Sequence, residues 1–402
     1  MTIPSLFLMV LVLLTAVPAL YLLVTTGASF FFRKEKPEAN RFLNIGVLIP
    51  AHNEGEAVKT TIENVFRCDY PANRFEIFVI ADNCNDDTAE HARNAGATVF
   101  ERFDTINRGK GQALDWFLKN HGANYHATDA ITIIDADVTP DIDYLREISA
   151  SLSIPGVTVV QGYNGVNNPS AGWRPALIDA AFNVFNHLRL AGSSILTGSA
   201  ALKGNGMAFS TPILERYGWP CHSIVEDLEF TLRLLQDGIA VHYNPDAIVS
   251  SEMVTKGKHA ASQRSRWEGG RFALVKSMTG PLVRLFANTG NPKFLCAWAD
   301  LAIPPLGLLV LLFIPGTIAG ILLGKPWAWI SAAYWLVILS YLLSAQIQRK
   351  APLSTWLSLL AAPVYVLWKI PIYLKMLIGK QGKGWVRTTR EALQNKEQPN
   401  HS

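Results

Sequence analysis

Residues 131–137 read Ile-Thr-Ile-Ile-Asp-Ala-Asp: four residues of strand-forming type run straight into two carboxylates. An aspartate is poor strand material, so the strand ends there and something other than the sheet requires the acid. The same design occurs twice upstream. Gly46-Val-Leu-Ile-Pro50 opens onto Ala51-His-Asn-Glu54, and the run Phe75 to Ala81 ends at Asp82. Thr98 to Glu101 and Val157 to Gln161 read as further strands. Helical spacing is expected over Glu56 to Phe66, Asp87 to Ala95, Ala113 to Lys119 and Leu228 to Leu235. Apolar strands alternating with amphipathic helices predict an α/β fold, a mostly parallel sheet with helices on both faces. Such sheets bind ligands at the carboxyl ends of their strands, which is where these acids stand.

Outward from this block, the composition points to lipid. Only 17% of the 402 residues are charged, against about a quarter in soluble domains. Lys+Arg 36 against Asp+Glu 32 leaves +4, too small and too dispersed an excess for a nucleic-acid partner. Met1 to Phe32 has no charge, lacks the basic start of a signal peptide and is long enough to cross a core of about 30 Å. Leu301 to Gly324, Pro326 to Gln348 and Ala351 to Trp368 are also uncharged. The expected plan is a membrane anchor at 1–32, a soluble domain at 40–275 and an interfacial segment at 276–300. Transmembrane or interfacial segments at 301–378 and a basic tail at 379–402 follow.

Arg33, Lys34 and Lys36 place the soluble domain in the cytoplasm, at the inner membrane of a bacterium. Four crossings would then leave the tail outside, although Lys380, Lys383, Arg387 and Arg390 favour the inside. Either the charge rule fails or one segment is re-entrant or interfacial. The last segment is the candidate, because Pro363, Lys369, Pro371 and Lys375 interrupt it. Cys68, Cys84, Cys221 and Cys296 are scattered and read as reduced thiols without a zinc site.

The chemistry lies in the soluble block. Asp135-Ala-Asp137 suits Mg2+ or Mn2+ held against a diphosphate, since hard cations take a few carboxylates plus phosphate oxygens. A second such pair, Asp141-Ile-Asp143, follows Pro140 and reads as the start of a helix. The motif alone is therefore near chance level, and only its strand-end position favours the first pair. No G-x-G-x-x-G follows the first strand, which argues against a dinucleotide-binding enzyme. Asn107-Arg-Gly-Lys-Gly111 precedes a helix and suits an anion, or is a plain turn.

Bland alternatives stand beside the other candidates. Glu226-Asp227 reads as helix-start chemistry as readily as catalysis. Gln263 to Trp267 reads as an interfacial helix with an indole anchor. Leu202 to Met207 reads as a glycine turn. Trp173 to Leu190 is amphipathic and suits core packing or a membrane surface. The histidines form no cluster, and only His222 and His259 are candidates for an extra phosphate or metal contact.

Taken in order, Val47-Leu-Ile-Pro-Ala-His-Asn-Glu54, Asp82, Asp135-Ala-Asp137, Val225-Glu-Asp227 and Gln263-Arg-Ser-Arg-Trp267 resemble the membrane-integrated glycosyltransferases of family 2. That group includes cellulose, hyaluronan and poly-N-acetylglucosamine synthases and ceramide glucosyltransferase. The resemblance covers roughly residues 43 to 275 and implies a GT-A fold. It implies that His52, Asn53, Glu54 and Asp82 contact the uridine of a UDP-sugar, with Lys110 near the nucleotide. Asp135 would hold the nucleotide and, with Asp137, the metal. Asp227, after Glu226, would be the general base. Gln263 and Arg266 would grip the diphosphate, and Trp267, with the loop around Gly204 and Asn205, would face the acceptor.

The function so implied is inverting transfer from a UDP-sugar to a membrane-associated acceptor, a growing exopolysaccharide. One alternative is the addition of a single sugar to a lipid; another is a non-catalytic nucleotide-sugar-binding assembly subunit. Three or four membrane segments make a thin wall for a polymer channel. A polymer synthase of this plan needs an accessory membrane subunit or a homo-oligomer besides membrane lipids.

Overall fold

The short apolar runs become strands because both faces of the sheet they form are covered. The computed structural model describes residues 3–37, 41–223, 225–253 and 257–377, without the side chains of 257–268, 372 and 374–377. Its strands are β1 (Ile45–Ala51), β2 (Phe75–Asp82), β3 (Thr98–Arg102), β4 (Ala130–Ile133), β5 (Val138–Pro140), β6 (Val159–Val166), β7 (Met207–Ser210) and β8 (His242–Ser251). They form one sheet in the order β3-β2-β1-β4-β7-β6-β8-β5. β3, β2, β1 and β4 run parallel. β7 is antiparallel to β4 and β6, β8 is parallel to β6, and β5 runs antiparallel at the edge.

The half carrying the acids is thus parallel as expected, and the other half is mixed. β5, β7 and β8 were not expected as strands, for local reasons. β5 has three residues, one of them Pro140, and β7 is a four-residue run between Gly206 and the Thr211-Pro212 helix start. β8 carries Asn244-Pro245-Asp246, breakers that the sheet absorbs as an irregular register opposite Gly162 and Tyr163. The helix at the glycine-rich loop runs Lys110–Asn120, three residues longer at its start than the apolar spacing indicated.

Chain packing sets which residues point where. On one face Val47 and Ile49 pack with Val58, Ile62 and Val65 of the helix Glu56–Phe66, and with Leu145 and Ile148 of Tyr144–Leu152. On the other, Phe78 meets Phe100 and Phe117, the latter from Lys110–Asn120. Val47, Leu48 and Ile49 are fully buried, each contributing about 1.5–3 kcal/mol of apolar burial. Gly46 lets Phe78 cross the strand: a Cβ there would lie 2.9 Å from the ring and closer still to Ile131.

The chain divides into two compact units, 31–167 with 193–252, and 1–30 with 168–192 and 253–402. The first holds the whole sheet. Among its described residues the second holds four helices long and apolar enough to cross a membrane: Ile3–Ser29, Leu306–Leu323, Trp327–Gln348 and Leu353–Pro371, with mean hydropathy 2.7, 2.5, 1.6 and 1.4. The last is the least apolar and is broken by a 3-10 turn at Leu359–Ala361. The basic tail lies outside the described residues.

The amphipathic stretch from Trp173 becomes an α-helix to Phe182 and a π-helical segment over Asn183–Leu188. Leu177, Ala180, Val184 and Leu188 are buried as core residues. Its polar residues bind within the same unit: Asp179 accepts from Thr355 at 2.7 Å, and Asn183 donates to Gln346 at 2.8 Å. Such side-chain bonds link helices where lipid offers no competing partner.

Replacing Gly46 by Val should destabilise the full chain in detergent by about 1–3 kcal/mol through overpacking. Combining it with Phe78→Leu should recover part of that loss. Thermal unfolding of the two variants checks this, and an unrescued double mutant would mean that Phe78 is not the obstacle.

Candidate active site

Two adjoining polar nests occupy the carboxyl ends of the parallel strands. The first is built on Asp82, the last residue of β2. Its Oδ1 accepts from Arg102 Nη1 at 2.6 Å and from Asn83 Nδ2 at 2.9 Å. Burial pushes the carboxyl upward, and the Arg102 bond opposes this without cancelling it. Arg102, the last residue of β3, is 4% exposed and also donates Nη2 to the Asn107 carbonyl at 2.6 Å. His52 Nδ1 lies 2.6 Å from the Asp82 carbonyl oxygen. Asn53 and Asn83 sit at φ 54 and 53, a left-handed conformation that asparagine tolerates better than most residues. The Asn53 side chain accepts from the Asn85 N–H at 2.9 Å. The loops after β1, β2 and β3 are therefore one interlocked structure.

The second nest centres on Lys110. Its ammonium donates to Asp135 Oδ1 at 2.5 Å and to the Gly204 carbonyl. The Gly109 N–H, one residue earlier, points at the Asp82 carboxylate and joins the two nests. Burial works against the charge on Lys110. Asp135, Glu226 and Asp227 outweigh it and hold the amine above the ordinary lysine value. Asn205, 2% exposed, accepts the Asp135 N–H at 3.1 Å. Gly204 has φ 75, and a Cβ there would lie 3.4 Å from Asp227 Oδ2. Glycine is thus favoured by the backbone conformation, and the turn lies in van der Waals reach of Asp227.

Glu226 and Asp227 form the first turn of the helix Glu226–Gln236, whose N-cap is Val225. Neither acid is the capping residue. Burial is the main force raising both carboxyls, and the Asp227 charge adds to the rise of Glu226. Two acids so placed share a proton, since desolvation and like charge both disfavour double ionisation. Lys110 opposes the rise at both acids and Lys203 opposes it at Asp227, yet burial leaves both carboxyls raised.

The sequence-expected residues His52, Asn53 and Asp82 gather in the first nest, with Glu54 in the same loop. Lys110, Asp135, Gly204, Asn205, Glu226 and Asp227 gather in the second. Asp137 is half-buried between β4 and β5. Gln263, Arg266 and Trp267 fall on the helix Gly257–Thr289, but their side chains, like that of His259, lie outside the described residues. His222 faces Asp115 at 4.0 Å. Asp143 and Asp141 flank the start of Tyr144–Leu152, and the Asp143 N–H donates to Asp141, the helix-start role expected for that pair.

Arg102 and Gln161 were missed. Gln161, fully buried, accepts from the Lys203 N–H at 2.8 Å and donates to the Asn205 carbonyl at 2.9 Å. A lone arginine ending a strand reads equally as a solvated residue, and a glutamine in an apolar strand gives no signal of its partner.

Among the described residues no group of three or more His, Cys, Asp or Glu side chains is arranged to hold a metal ion. Asp135 and Asp137 supply two carboxylates. That set fits a cation that completes its shell with diphosphate oxygens and water, and the Lys110 ammonium on Asp135 marks the spot as cation-attracting.

The family model described as glycosyltransferase-like family 2 matches residues 43–270, more than half of the chain. A glucomannan 4-beta-mannosyltransferase of Arabidopsis thaliana is 27% identical over 59% of this chain and 44% of its own. A beta-monoglucosyldiacylglycerol synthase of Synechocystis sp. is 26% identical over 56% of this chain and 47% of its own. The chain spans about half the length of the curated relatives it matches. Among solved structures, the mannosyltransferase PcManGT of Pyrobaculum calidifontis, in complex with GDP-mannose and Mn2+, aligns over 86% of this chain and 98% of its own. Its TM-score is 0.52 at 21% identity. That likeness bears out the expected fold, a GT-A sheet with helices at both ends that are long and apolar enough to span a membrane. Its ion is of the class expected at Asp135 and Asp137.

Glu226→Gln should raise the melting temperature at neutral pH. A carboxyl raised by folding favours its protonated form, so wild-type stability falls as pH rises from the ordinary glutamate range, about 4.3, through the raised value. The variant's advantage should vanish below that window. An advantage independent of pH would contradict the buried-acid assignment.

Proposed function

Since this chain belongs to the family 2 glycosyltransferases, we propose that it moves a sugar from a nucleotide-sugar, specifically a UDP-sugar, to a membrane-associated acceptor with inversion. One observation carries this. Asp227, a half-buried carboxylate with two lysines close enough to favour its anion, stands against Gly204 while Lys110 ties Gly204 to Asp135 at the strand ends.

Each residue then has a task. Asp227 takes the proton of the acceptor hydroxyl as that oxygen attacks the anomeric carbon, and the nucleoside diphosphate leaves from the opposite face. Glu226 keeps the shared proton and so leaves Asp227 as the anion. His52, Asn53, Glu54 and Asp82 seat the nucleoside. Lys110, Gln263 and Arg266 neutralise the departing diphosphate. Asp135 and Asp137 hold Mg2+ or Mn2+, which supplies further charge stabilisation to the leaving group when bound. Trp267 and the Gly204–Asn205 turn support the acceptor, since an indole suits the C–H face of a sugar ring. The catalytic unit works in the cytoplasm at the inner membrane.

The acceptor of this reading is a growing exopolysaccharide, assembled with an accessory subunit or a second copy. A lipid acceptor is the second reading, favoured by the relative named a beta-monoglucosyldiacylglycerol synthase and by the four helices able to wall a channel among the described residues.

Purified full chain, supplied with membranes, Mg2+ or Mn2+ and a panel of UDP-sugars, should release UDP with one of them. Asp227→Asn should lower turnover by about 10²–10⁴, whereas Glu226→Gln should stay within about tenfold of wild type. Unchanged turnover in Asp227→Asn would remove the base assignment. No release with any donor would favour the non-catalytic subunit instead. A chloroform-extractable product would decide for the lipid acceptor.

On the acid side, kcat/KM should fall with an apparent pKa above about 3.9, the value of a free aspartate, because burial raises Asp227 and the base must be ionised. A pH–rate profile measured down to pH 4 shows this, and a flat profile would contradict it. Chelation by EDTA should abolish UDP release, and Mn2+ should restore it. Asp137→Asn should raise the Mn2+ concentration needed.

A further inference from the structure

The Lys110 ammonium is itself the cation of the acidic strand end. It donates to Asp135 Oδ1 at 2.5 Å and to the Gly204 carbonyl, a carboxylate and a main-chain oxygen, the donor types that hard cations also take. The Asp135 side chain is 41% exposed and that of Lys110 22%, so both are reachable by small ions and ligands. Glu226 and Asp227 act on the same ammonium and favour its charge. The cation demand of this strand end is therefore met from within the chain.

This arrangement has a consequence for an incoming ion. A divalent cation bound by Asp135 and Asp137 either takes the oxygen that the ammonium holds or sits beside a like charge. Both oppose its binding, and partial burial keeps water and salt from screening the repulsion. Of the three members of the bridge, only the lysine is free to move aside. Its stem is flexible and its three donors rotate. Asp135 is pinned by its N–H on Asn205 at 3.1 Å. Gly204 is flanked by Lys203 and Asn205, whose main chain Gln161 holds from inside the sheet. The ammonium gains a new partner only when an anion arrives.

We propose that Lys110 is an internal counter-ion that makes metal binding at Asp135 and Asp137 conditional on a diphosphate. It satisfies Asp135, disfavours a divalent cation that comes alone, and turns to the phosphate oxygens of an entering nucleoside diphosphate. The inference rests on the proposed nucleotide-sugar site and adds an order of events to it. A cation that arrives with a diphosphate is accepted, because the same anionic oxygens satisfy the ion and the ammonium together. By linkage the preference is reciprocal, and each ligand strengthens the binding of the other.

The test uses full-length protein in detergent and measures two ligands separately: Mn2+ alone, by the free-ion signal in electron paramagnetic resonance, and UDP alone in EDTA, by calorimetry. Lys110→Met should bind Mn2+ at least about tenfold more tightly than wild type and UDP at least about tenfold more weakly. Opposite signs are the signature, since a merely structural role would weaken both. The gained Mn2+ affinity should vanish when Asp137→Asn is added. Lys110→Arg, which keeps the charge, should bind Mn2+ as weakly as wild type. Should Lys110→Met fail to fold, Lys110→Gln, which can still donate to Asp135 and Gly204, should show the same pair of changes. Mn2+ affinity unchanged or lowered in the uncharged variants, no Mn2+ binding by any of them, or a gain that survives Asp137→Asn would overturn the proposal. Undiminished UDP binding would overturn it equally. Neither measurement needs a sugar or an acceptor. No sugar transfer by wild type, with both changes present, would overturn the proposed function alone, and transfer with equal Mn2+ affinities would overturn the counter-ion alone.

Discussion

The bridge from the Lys110 ammonium to Asp135 and the Gly204 carbonyl is the contact on which the candidate site depends. It crosses from the helix after the third strand to the end of β4 and on to the loop before β7, so it fixes three separate segments at once. It also answers an electrostatic demand. Asp135, Glu226 and Asp227 all act on this lysine, and a low-dielectric strand end tolerates such a concentration of carboxylates only with a cation among them. A nucleoside diphosphate with its metal would bring both signs of charge to that point. The bridge therefore marks where ligand charge and protein charge would be exchanged.

Support for the bridge comes from parts that never touch a ligand. Gln161 holds the Lys203 and Asn205 backbone from inside the sheet. Thr231 accepts from the Leu202 N–H and donates to the Asp227 carbonyl, tying the turn to the acidic helix. Arg102 does the same for Asp82, linking it to the loop that leads into Lys110. Rigid scaffolding of this kind keeps a site within the small tolerances that catalysis needs.

Much of this was legible in the sequence, because strands buried on both faces must be apolar and an acid at their end is conspicuous. That logic placed β1, β2 and β4, the loop after β1, Asp82 and the Asp135–Asp137 pair. In the second half of the sheet only the start of β6 was legible, since β5 and β7 are too short for a periodic signal and β8 carries its own breakers. Arg102 and Gln161 were hidden for another reason: their partners are distant in sequence, and a single polar residue names no partner.

The central claim is that the acids at the strand ends line a single nucleotide-sugar cleft. The most direct measurement is an experimental structure of the full chain with UDP and Mn2+. The account predicts the uracil against the Asp82 loop, the diphosphate within hydrogen-bond reach of Lys110, and the ion about 2.1 Å from an Asp137 oxygen. It also predicts Asp227 open toward the space beyond the diphosphate. Nucleotide bound away from Lys110 and Asp137, or Asp227 turned out of the cleft that holds it, would contradict the account.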